Sequence, residues 1–377
     1  MKKVLLLAND VTTILQFRQE LVKALVDDGN QVVVCVPDSD RIPEIEALGA
    51  SVETIQVARH GKNPLKDIAL YLNYKKLIKK INPNIVFSFT IKPNVYGGMA
   101  CAGLKIPYVA NVTGLGVVGD KGLLQKLMLT LYKSGCKKAK CVFFQNKSNL
   151  EFFKEQGVVK ENVQLLPGSG VNVEKFSYIS YPEEEPTNIT FVGRIIKDKG
   201  VFELAEAAKR FADDGRVKFT IVGDVEYGAE NPFEGMQNVD CVGFHKDVRP
   251  YLEKSHAVVL PSYHEGMANV LLEGASTGRI ILASKIPGCE ESFDEGVTGF
   301  GFEPKNVDSL CAAIEKLLSL TNEQKAQMGK AGREKMEQQF NRQIVVNKYL
   351  EHLKSVDRKS TRLNSSHLRA SRMPSSA

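Results

Sequence analysis

Two glutamates eight positions apart lie in the stretch PSYHEGMANVLLE, residues 261–273. The run before it, HAVVLP over residues 256–261, is apolar, β-branched and ended by proline, which predicts a buried strand that enters a loop. Glu265 then lies in this loop, and Asn269 is predicted to cap a helix that carries Glu273. Because a helix rises about 1.5 Å per residue, the two carboxylates should lie on the order of 10 Å apart. That is roughly the span from the hexose to the ribose of a nucleoside diphosphate sugar, and carboxylates bind the vicinal hydroxyls of both rings.

The backbone between the two glutamates is a candidate for holding the diphosphate. Gly266, Met267, Ala268 and Asn269 lead into the predicted helix, whose free N–H groups and positive dipole end attract anions. The alternative is that the first glutamate is solvated in its loop and that the second caps or pairs on a helix face. An isolated pair of this kind is more often structural, so the functional interpretation depends on a second motif.

A second phosphate-binding pattern occurs upstream, in the sequence ITFVGRIIKDKG of residues 189–200. It predicts a strand that ends at a glycine turn with two cations before a helix. Gly193 permits the sharp turn, Arg194 can bind a phosphate through two parallel hydrogen bonds, and Lys199 adds a point charge. The alternative is a surface turn with solvated cations. Because both motifs follow strands, and open α/β sheets bind ligands at the carboxyl ends of their strands, the combination favours a ligand site.

Both motifs resemble the donor-binding motifs of one enzyme family. The G-R-x4-K-G run and the E-x7-E run with its PSYHEG start are similar to those of retaining glycosyltransferases of the GT-B fold, specifically family 4. Further similar segments are LPGSGVNVEKF at 166–176, IPGCEES at 286–292 and GVTGF at 296–300. FTIKPNVYG at 89–97 and VTGLG at 112–116 resemble a bacterial branch that builds capsule, O-antigen or lipid-linked glycans. The resemblance covers roughly residues 1 to 355.

The resemblance implies a fold, a reaction and a role for each motif residue. The fold would be GT-B, an α/β architecture with two Rossmann-like parallel-sheet domains facing across a cleft. Arg194 and Lys199 would neutralise the donor diphosphate as the sugar–phosphate bond breaks. Glu265 would bind hydroxyls of the transferred sugar and Glu273 those of the ribose. The leaving phosphate would help to deprotonate the acceptor, and no cofactor or catalytic metal is expected.

The implied reaction is retaining transfer of a hexose or N-acetylhexosamine from a UDP-sugar to a lipid-linked, polyprenyl diphosphate glycan. Two alternatives from other classes remain open at this point. One is a sugar-nucleotide epimerase or hydrolase on the same fold, which needs acidic and histidine groups in the first domain that are not found there. The other is a non-catalytic scaffold that binds sugar nucleotides, and the intact motif residues argue against it.

The first half departs from the family at one loop. Many relatives carry a histidine on the first-domain loop that faces the donor sugar, but SFTIK at residues 88–92 contains none. Thr90 and Lys92 are the polar groups available there, and we assign them contacts with donor or acceptor. Gly114 belongs either to an ordinary turn or to a loop that closes on the substrate.

The apolar runs that position these residues form two series, which predicts two parallel α/β sheets. The predicted strands are 4–8, 31–36, 85–89, 108–112 and 141–145 in the first half, and 187–192, 217–222, 239–242, 256–260 and 279–283 in the second. We expect an acceptor-side domain over 1–178, a proline-bracketed linker over 177–186 and a nucleotide-sugar donor domain over 186–340. A helix over 341–357 should pack back towards the first domain. The tail 358–377 has five basic and no acidic residues, and we expect it to be unstructured and non-native.

Charge is distributed unevenly. Residues 1–180 hold 24 Lys and Arg against 15 Asp and Glu, whereas residues 181–357 hold 21 against 29. Lysines interleave with apolar residues at 65–80 and 121–140, as in helices that lie on anionic membranes, although solvated helix faces would look similar. Because the resembling branch glycosylates a polyprenyl diphosphate carrier, we favour peripheral membrane contact. Nucleic acid is not expected as a partner, since no base-stacking aromatic pattern accompanies the lysines.

Export is not expected for this chain. No run is long enough to span a bilayer, and the apolar residues after Met1 are better explained as the first strand than as a signal peptide. The seven cysteines are scattered without a C-x-x-C pair, which is typical of a reducing compartment. We therefore expect a cytoplasmic enzyme at the inner face of the cell membrane.

Overall fold

A computed structural model describes the backbone of residues 1–56, 64–114, 122–226, 228 and 230–370, with the side chains of all of these except 64, 123 and 357–370. It divides into two units. The first comprises Met1–Phe144, Asn149–Leu166 and the chain from Gln343 onward, and the second comprises Gln145–Ser148 and Pro167–Arg342.

The first unit is a parallel sheet with helices on both faces. Its elements in chain order are β1 (Lys3–Leu7), α1 (Val11–Phe17), α2 (Gln19–Asp27), β2 (Gln31–Val36), α3 (Ile42–Glu46), β3 (Ser51–Thr54), α4 (Pro64–Ile81), β4 (Ile85–Phe89), a π-helix (Pro93–Gly97), α5 (Gly98–Leu104), β5 (Tyr108–Val112), α6 (Leu123–Cys136), β6 (Cys141–Phe144), α7 (Lys147–Glu155) and β7 (Val163–Leu165). The strand order is β3-β2-β1-β4-β5-β6-β7. Central strands such as β4 and β5 are buried along their whole length, which explains their mostly apolar sequences.

The second unit repeats this plan with six strands. Its elements are β8 (Thr187–Val192), a 3₁₀ turn (Lys197–Lys199), α8 (Val201–Arg210), β9 (Val217–Val222), β10 (Val239–Gly243), α9 (Arg249–Glu253), β11 (Ala257–Leu260), α10 (Asn269–Ser276), β12 (Ile280–Ser284), a 3₁₀ turn (Glu290–Ser292), β13 (Gly299–Phe302), α11 (Val307–Leu318), α12 (Asn322–Lys335) and a π-helix (Met336–Phe340). The order β10-β9-β8-β11-β12-β13 is fully parallel. The prediction of two parallel α/β sheets is therefore confirmed.

Three strands escape the sequence analysis. β3 and β7 are only four and three residues long and are half-exposed, so they lack an apolar run. β13 is fully buried, but its sequence GFGF carries glycines that indicate a turn rather than a strand.

The division of the chain differs from the predicted domain boundaries. Residues 177–186, expected as a linker, belong to the second unit, where Tyr181 is buried. Arg279 Nη2 fixes this segment by donating to the carbonyl oxygens of Ile179 at 2.9 Å and Ser180 at 3.2 Å. The first unit ends at Leu166 rather than at 178, and residues 145–148 also join the second unit. Composition could not show this, because an ordered loop held by a buried arginine contains the same residue types as a linker.

The last helix, α13 (Arg342–Ala370), returns to the first unit. The Tyr349 ring packs edge-on against Phe87 and Phe143, with 5.0 Å between ring centroids in each pair. Its hydroxyl oxygen accepts a hydrogen bond from Asn111 Nδ2 at 2.6 Å. Residues 358–370 were predicted to be unstructured, but their backbone continues this helix. Extending an existing helix costs less free energy than starting a new one. Residues 371–377 lie outside the described part.

We expect the Tyr349 contact to hold α13 on the first sheet. Tyr349→Ala should lower the free energy of unfolding by about 3–5 kcal/mol through loss of packing, and Tyr349→Phe by about 1–2 kcal/mol, because the Asn111 amide loses its acceptor. Hydrogen exchange of the β4 amides under native conditions measures both changes. Lys348→Ala, on the exposed face of the same helix, is the control and should change little; an equal effect of all three substitutions would contradict the assignment.

Candidate active site

Two loops meet at the carboxyl edge of the second sheet. β8 and β11 are parallel neighbours, so the segments that follow them, residues 193–200 and 261–268, leave the sheet side by side. Gly200 has φ +68, and a side chain there would overlap the Pro261 carbonyl oxygen. The Tyr263 N–H also donates to the Asp198 carbonyl oxygen at 2.9 Å. Only glycine permits both this backbone conformation and this close approach.

The approach brings the predicted cation and the first predicted carboxylate together. Lys199 Nζ lies 2.5 Å from Glu265 Oε1, and the two side chains are 24% and 13% exposed. Ser262 Oγ donates to the same oxygen at 2.7 Å. Two charges can be half-buried here because each is paired and the carboxylate accepts a further hydrogen bond. Ser262 is missing from the sequence prediction, although its position in PSYHEG, next to a strand end, was a usable signal.

Arg194 is placed differently from Lys199. Its guanidinium is on an exposed side chain and its Nη1 lies 3.4 Å from Glu226 Oε1, a surface ion pair of small energetic value. The N–H of Gly193, which precedes Arg194, donates to the Val222 carbonyl oxygen at 3.0 Å, so that the pairing of β8 with β9 extends by one residue. Arg194 is therefore a long, solvated cation at the same sheet edge, whereas Lys199 is fixed in the protein.

The loop before α10 differs from the prediction in two details. Asn269 is the first residue of the helix rather than its cap; Ala268 occupies the cap position, and no side chain closes the helix end. The Asn269 side chain makes only a long contact, 3.4 Å, with the Met267 carbonyl oxygen, because its short amide cannot reach back to the helix N–H groups from inside the first turn. The Ala268 N–H already donates to the Gly288 carbonyl oxygen at 2.8 Å and is not available to a phosphate.

Gly266 and Met267 keep backbone N–H groups with no acceptor among the described residues. Hydrogen-bonding groups of this kind need water or a ligand. The part of the loop that could receive an anion is therefore smaller than predicted, and it adjoins the Lys199–Glu265 pair.

Glu273 lies in α10, one face of which is in the core. Burial raises the pKa of its carboxyl group to about 7, and the positive charges of Arg342 and Lys175 oppose this rise. Burial disfavours the charged form of this carboxyl group. Hydrogen bonds from ligand hydroxyls would stabilise that form. The ribose contact of Glu273 stays a prediction.

The other three candidates belong to the first unit. Thr90 has φ +72, an uncommon conformation for threonine, and its hydroxyl donates to the Phe89 carbonyl oxygen. Lys92 Nζ forms a half-buried ion pair with Asp67 at 3.0 Å. Gly114 is the last residue described before the gap at 115–121, so the rest of its predicted turn lies outside the described residues. The structure gives Thr90 a strained backbone and Lys92 a structural partner, and it leaves their substrate contacts untested.

Comparison with known proteins identifies the family. The sequence model "Glycosyl transferase 4-like" matches residues 3–146, and the model "Glycosyl transferases group 1" matches residues 186–320, so each unit is matched over most of its strands. The chain belongs to the family 4, or group 1, glycosyltransferases. In this glycosyltransferase the group 1 match includes the G-R-x4-K-G and E-x7-E runs, with Lys199, Glu265 and Glu273.

Two curated relatives are bacterial glycosyltransferases. The glycosyltransferase is 29% identical, over 90% of its length and 94% of the relative's, to N,N'-diacetylbacillosaminyl-diphospho-undecaprenol alpha-1,3-N-acetylgalactosaminyltransferase of Campylobacter jejuni. It is 27% identical, over 67% of its length and 71% of the relative's, to UDP-Gal:alpha-D-GlcNAc-diphosphoundecaprenol alpha-1,3-galactosyltransferase of Escherichia coli. The solved structure of Anabaena HepE in complex with UDP matches with a TM-score of 0.78 and 17% identity, covering 94% of this chain and all of that one. These likenesses agree with the GT-B fold.

The pKa of Glu273 generates a prediction about stability. Because its folded-state pKa lies above the ordinary 4.5, the folded protein binds more protons than the unfolded chain between about pH 4.5 and 7, and stability falls as the pH rises through this window. Glu273→Gln cannot ionise and should be more stable than wild type above pH 7, by up to about 3 kcal/mol. The difference should vanish below pH 4.5.

Urea unfolding of both proteins at pH 5 and pH 8 measures this effect. Exposed Glu315→Gln in the same unit is the control and should follow wild type at both pH values. A parallel pH dependence of wild type and Glu273→Gln would contradict the burial of an ionisable carboxyl group.

Proposed function

We propose that this glycosyltransferase moves a hexose or N-acetylhexosamine from a UDP-sugar to a glycan carried on polyprenyl diphosphate, with retention of the anomeric configuration. The observation that carries the proposal is the Lys199–Glu265 pair, a cation and a carboxylate that lie beside backbone N–H groups with no acceptor among the described residues. The names of the two curated relatives, both alpha-1,3-transferases that act on undecaprenyl diphosphate glycans, support this acceptor class and linkage type. A role in bacterial surface polysaccharide synthesis follows from that acceptor.

In the proposed reaction the bond between the sugar C1 and the diphosphate breaks, and a bond from C1 to an acceptor hydroxyl oxygen forms on the same face of the ring. The acceptor proton passes to the leaving phosphate oxygen, so no protein base is required. Lys199 has three N–H donors and uses one on Glu265, which leaves two for the phosphate charge that develops. Arg194 adds a mobile cation. Glu265 Oε2, unlike Oε1, makes no hydrogen bond to the described residues and can accept from a sugar hydroxyl.

We further propose that the reaction needs no divalent metal. The charge that a metal would neutralise is met by Lys199, by Arg194 and by the amides of Gly266 and Met267.

Peripheral contact with an anionic membrane at the cytoplasmic face is proposed for the first unit. α4 buries Leu70, Tyr74 and Ile78 on one side. Its other side exposes Leu65 at 76%, Ile68 at 57% and Leu72 at 54%, which are spaced three and four residues apart and so form one stripe. Exposed lysines continue that side of the helix, at 75, 76, 79 and 80. An apolar stripe followed by cations fits a surface of acyl chains and anionic headgroups. No helix in the described part of the chain is long and apolar enough to cross a bilayer.

A UDP-release assay with a panel of UDP-sugars tests the reaction. It is run with and without a short-chain polyprenyl diphosphate glycan, in the presence of EDTA. Acceptor-dependent release from one donor is expected, with the α-linked product seen by NMR. Release without acceptor would instead show a hydrolase, a β-linked product would refute retention, and loss of activity in EDTA would refute metal independence.

The site assignment is tested in the same assay. Lys199→Ala and Glu265→Ala should each lower kcat at least 100-fold, because each removes an interaction with developing charge or with the transferred sugar. Lys209→Ala, an exposed lysine on α8, is the control. Near-normal turnover in either site variant, with the fold intact by circular dichroism, would overturn the assignment.

Membrane contact is tested by sedimentation with vesicles that contain phosphatidylglycerol. Replacing Leu65, Ile68 and Leu72 together by serine should weaken binding at least tenfold, since three large side chains no longer enter the apolar layer. Val297→Ser removes a comparably exposed apolar residue from the second unit and should have no effect. Unchanged vesicle binding of the triple variant would rule out α4 as the contact.

A further inference from the structure

The loop of Gly266 and Met267, whose N–H groups have no acceptor among the described residues, is anchored by a residue far away in sequence. Asn146, which follows β6, is almost fully buried, and its Nδ2 donates to the Gly266 carbonyl oxygen at 2.7 Å. Both residues belong to the second unit. Asn146 is not among the residues predicted from the sequence, although it is a polar residue at the carboxyl end of a strand.

This hydrogen bond fixes the direction of the next N–H group. The Gly266 C=O and the Met267 N–H belong to one peptide plane, and in a trans peptide they point in opposite directions. Anchoring the carbonyl on Asn146 therefore directs the Met267 N–H to the other side of the loop, where no described residue accepts it. A backbone donor that is directed by a buried anchor and left without a protein acceptor is prepared for a ligand.

Two further contacts prevent this peptide from turning. The Met267 side chain packs directly on Gly168, where any side chain would overlap Met267 Cγ. On the other side, the Ala268 N–H donates to the Gly288 carbonyl oxygen at 2.8 Å. The Gly266–Met267 peptide is thus fixed by the hydrogen bond to the Gly266 oxygen, by the packing of the Met267 side chain and by the hydrogen bond of the Ala268 N–H. A flip of the peptide would break the Asn146 hydrogen bond and leave a buried amide unpaired, which is costly.

We propose that Asn146 is a positioning residue for the donor diphosphate, acting through the Met267 N–H. This inference rests on the proposed function, because it takes the phosphates as the ligand of the loop. Asn146 would touch no substrate itself. Its residue type matters because the side chain must donate a hydrogen bond to the Gly266 carbonyl oxygen. Loss of the donor should allow the peptide to rotate and should weaken phosphate binding while contacts to the nucleoside stay unchanged.

The test compares UDP with uridine, which lacks the phosphates. Asn146→Ala should raise the dissociation constant for UDP about tenfold, as expected for a lost hydrogen bond to a charged group, and should leave that for uridine within twofold. Gln145→Ala is the matched control, since Gln145 is a buried amide in the same segment whose Nε2 donates to Ser169 Oγ at 3.2 Å rather than to the loop. Calorimetry gives the constants, and thermal unfolding checks that each variant is folded.

A second measurement needs no Asn146 variant. Selective ¹⁵N labelling of the eight methionines gives few amide signals, and Met267→Leu assigns the one of interest. In the wild-type chain this signal should shift downfield on addition of UDP and stay in place with uridine. An unmoved Met267 signal, an unchanged UDP constant in Asn146→Ala, or equal losses for UDP and uridine would each overturn the inference. If wild type binds none of UDP, GDP, ADP and dTDP, the proposed function fails and the inference fails with it.

Discussion

The close approach of Gly200 to Pro261 is the constraint on which the candidate site depends. A side chain at position 200 would overlap the Pro261 carbonyl oxygen, so the two loops can meet only because that position has none. Once the loops meet, the Tyr263 N–H reaches the Asp198 carbonyl oxygen and Lys199 reaches Glu265. The parallel pairing of β8 with β11 makes this possible, because it brings two strand ends to the same edge of the sheet.

The charged groups of the candidate site differ in how firmly the protein holds them. Lys199 and Glu265 are half-buried and paired, whereas Arg194 is exposed with a weak partner. A fixed pair loses little conformational freedom when a ligand binds, and an exposed arginine can follow a leaving group that moves away. Glu273 shows the cost of such a site, because its raised pKa means that the folded chain is less stable with the charged carboxylate than without it. Binding residues often carry this trade between stability and function.

The first unit has a different balance of forces. Its core contains a buried polar chain in which Ser88 Oγ donates to Asn94 Oδ1 at 2.8 Å and Asn94 Nδ2 donates to the Asn111 carbonyl oxygen at 2.7 Å. Asn111 Nδ2 in turn donates to the Tyr349 hydroxyl oxygen, which connects the sheet to α13. Polar groups buried in this way specify one arrangement, because any other would leave them unpaired. The same unit exposes Leu65, Ile68 and Leu72 as an apolar stripe on α4, and stripes of this kind often mark interaction surfaces.

The sequence by itself determined the class of the fold, most of the strands and the family, and it predicted the two donor motifs. These follow from local patterns: buried parallel strands are continuous apolar runs, and phosphate-binding loops need glycine and cations at fixed spacing. Tertiary structure alone decided that Lys199 pairs with Glu265, that the Ala268 N–H donates to the Gly288 carbonyl oxygen and that Asn146 donates to the Gly266 carbonyl oxygen. Each of these contacts joins residues distant in sequence through the packing of several elements, and local periodicity carries no information about such partners. The boundary between the units was decided in the same way, since the buried Arg279 converts a segment with the composition of a linker into part of the second core.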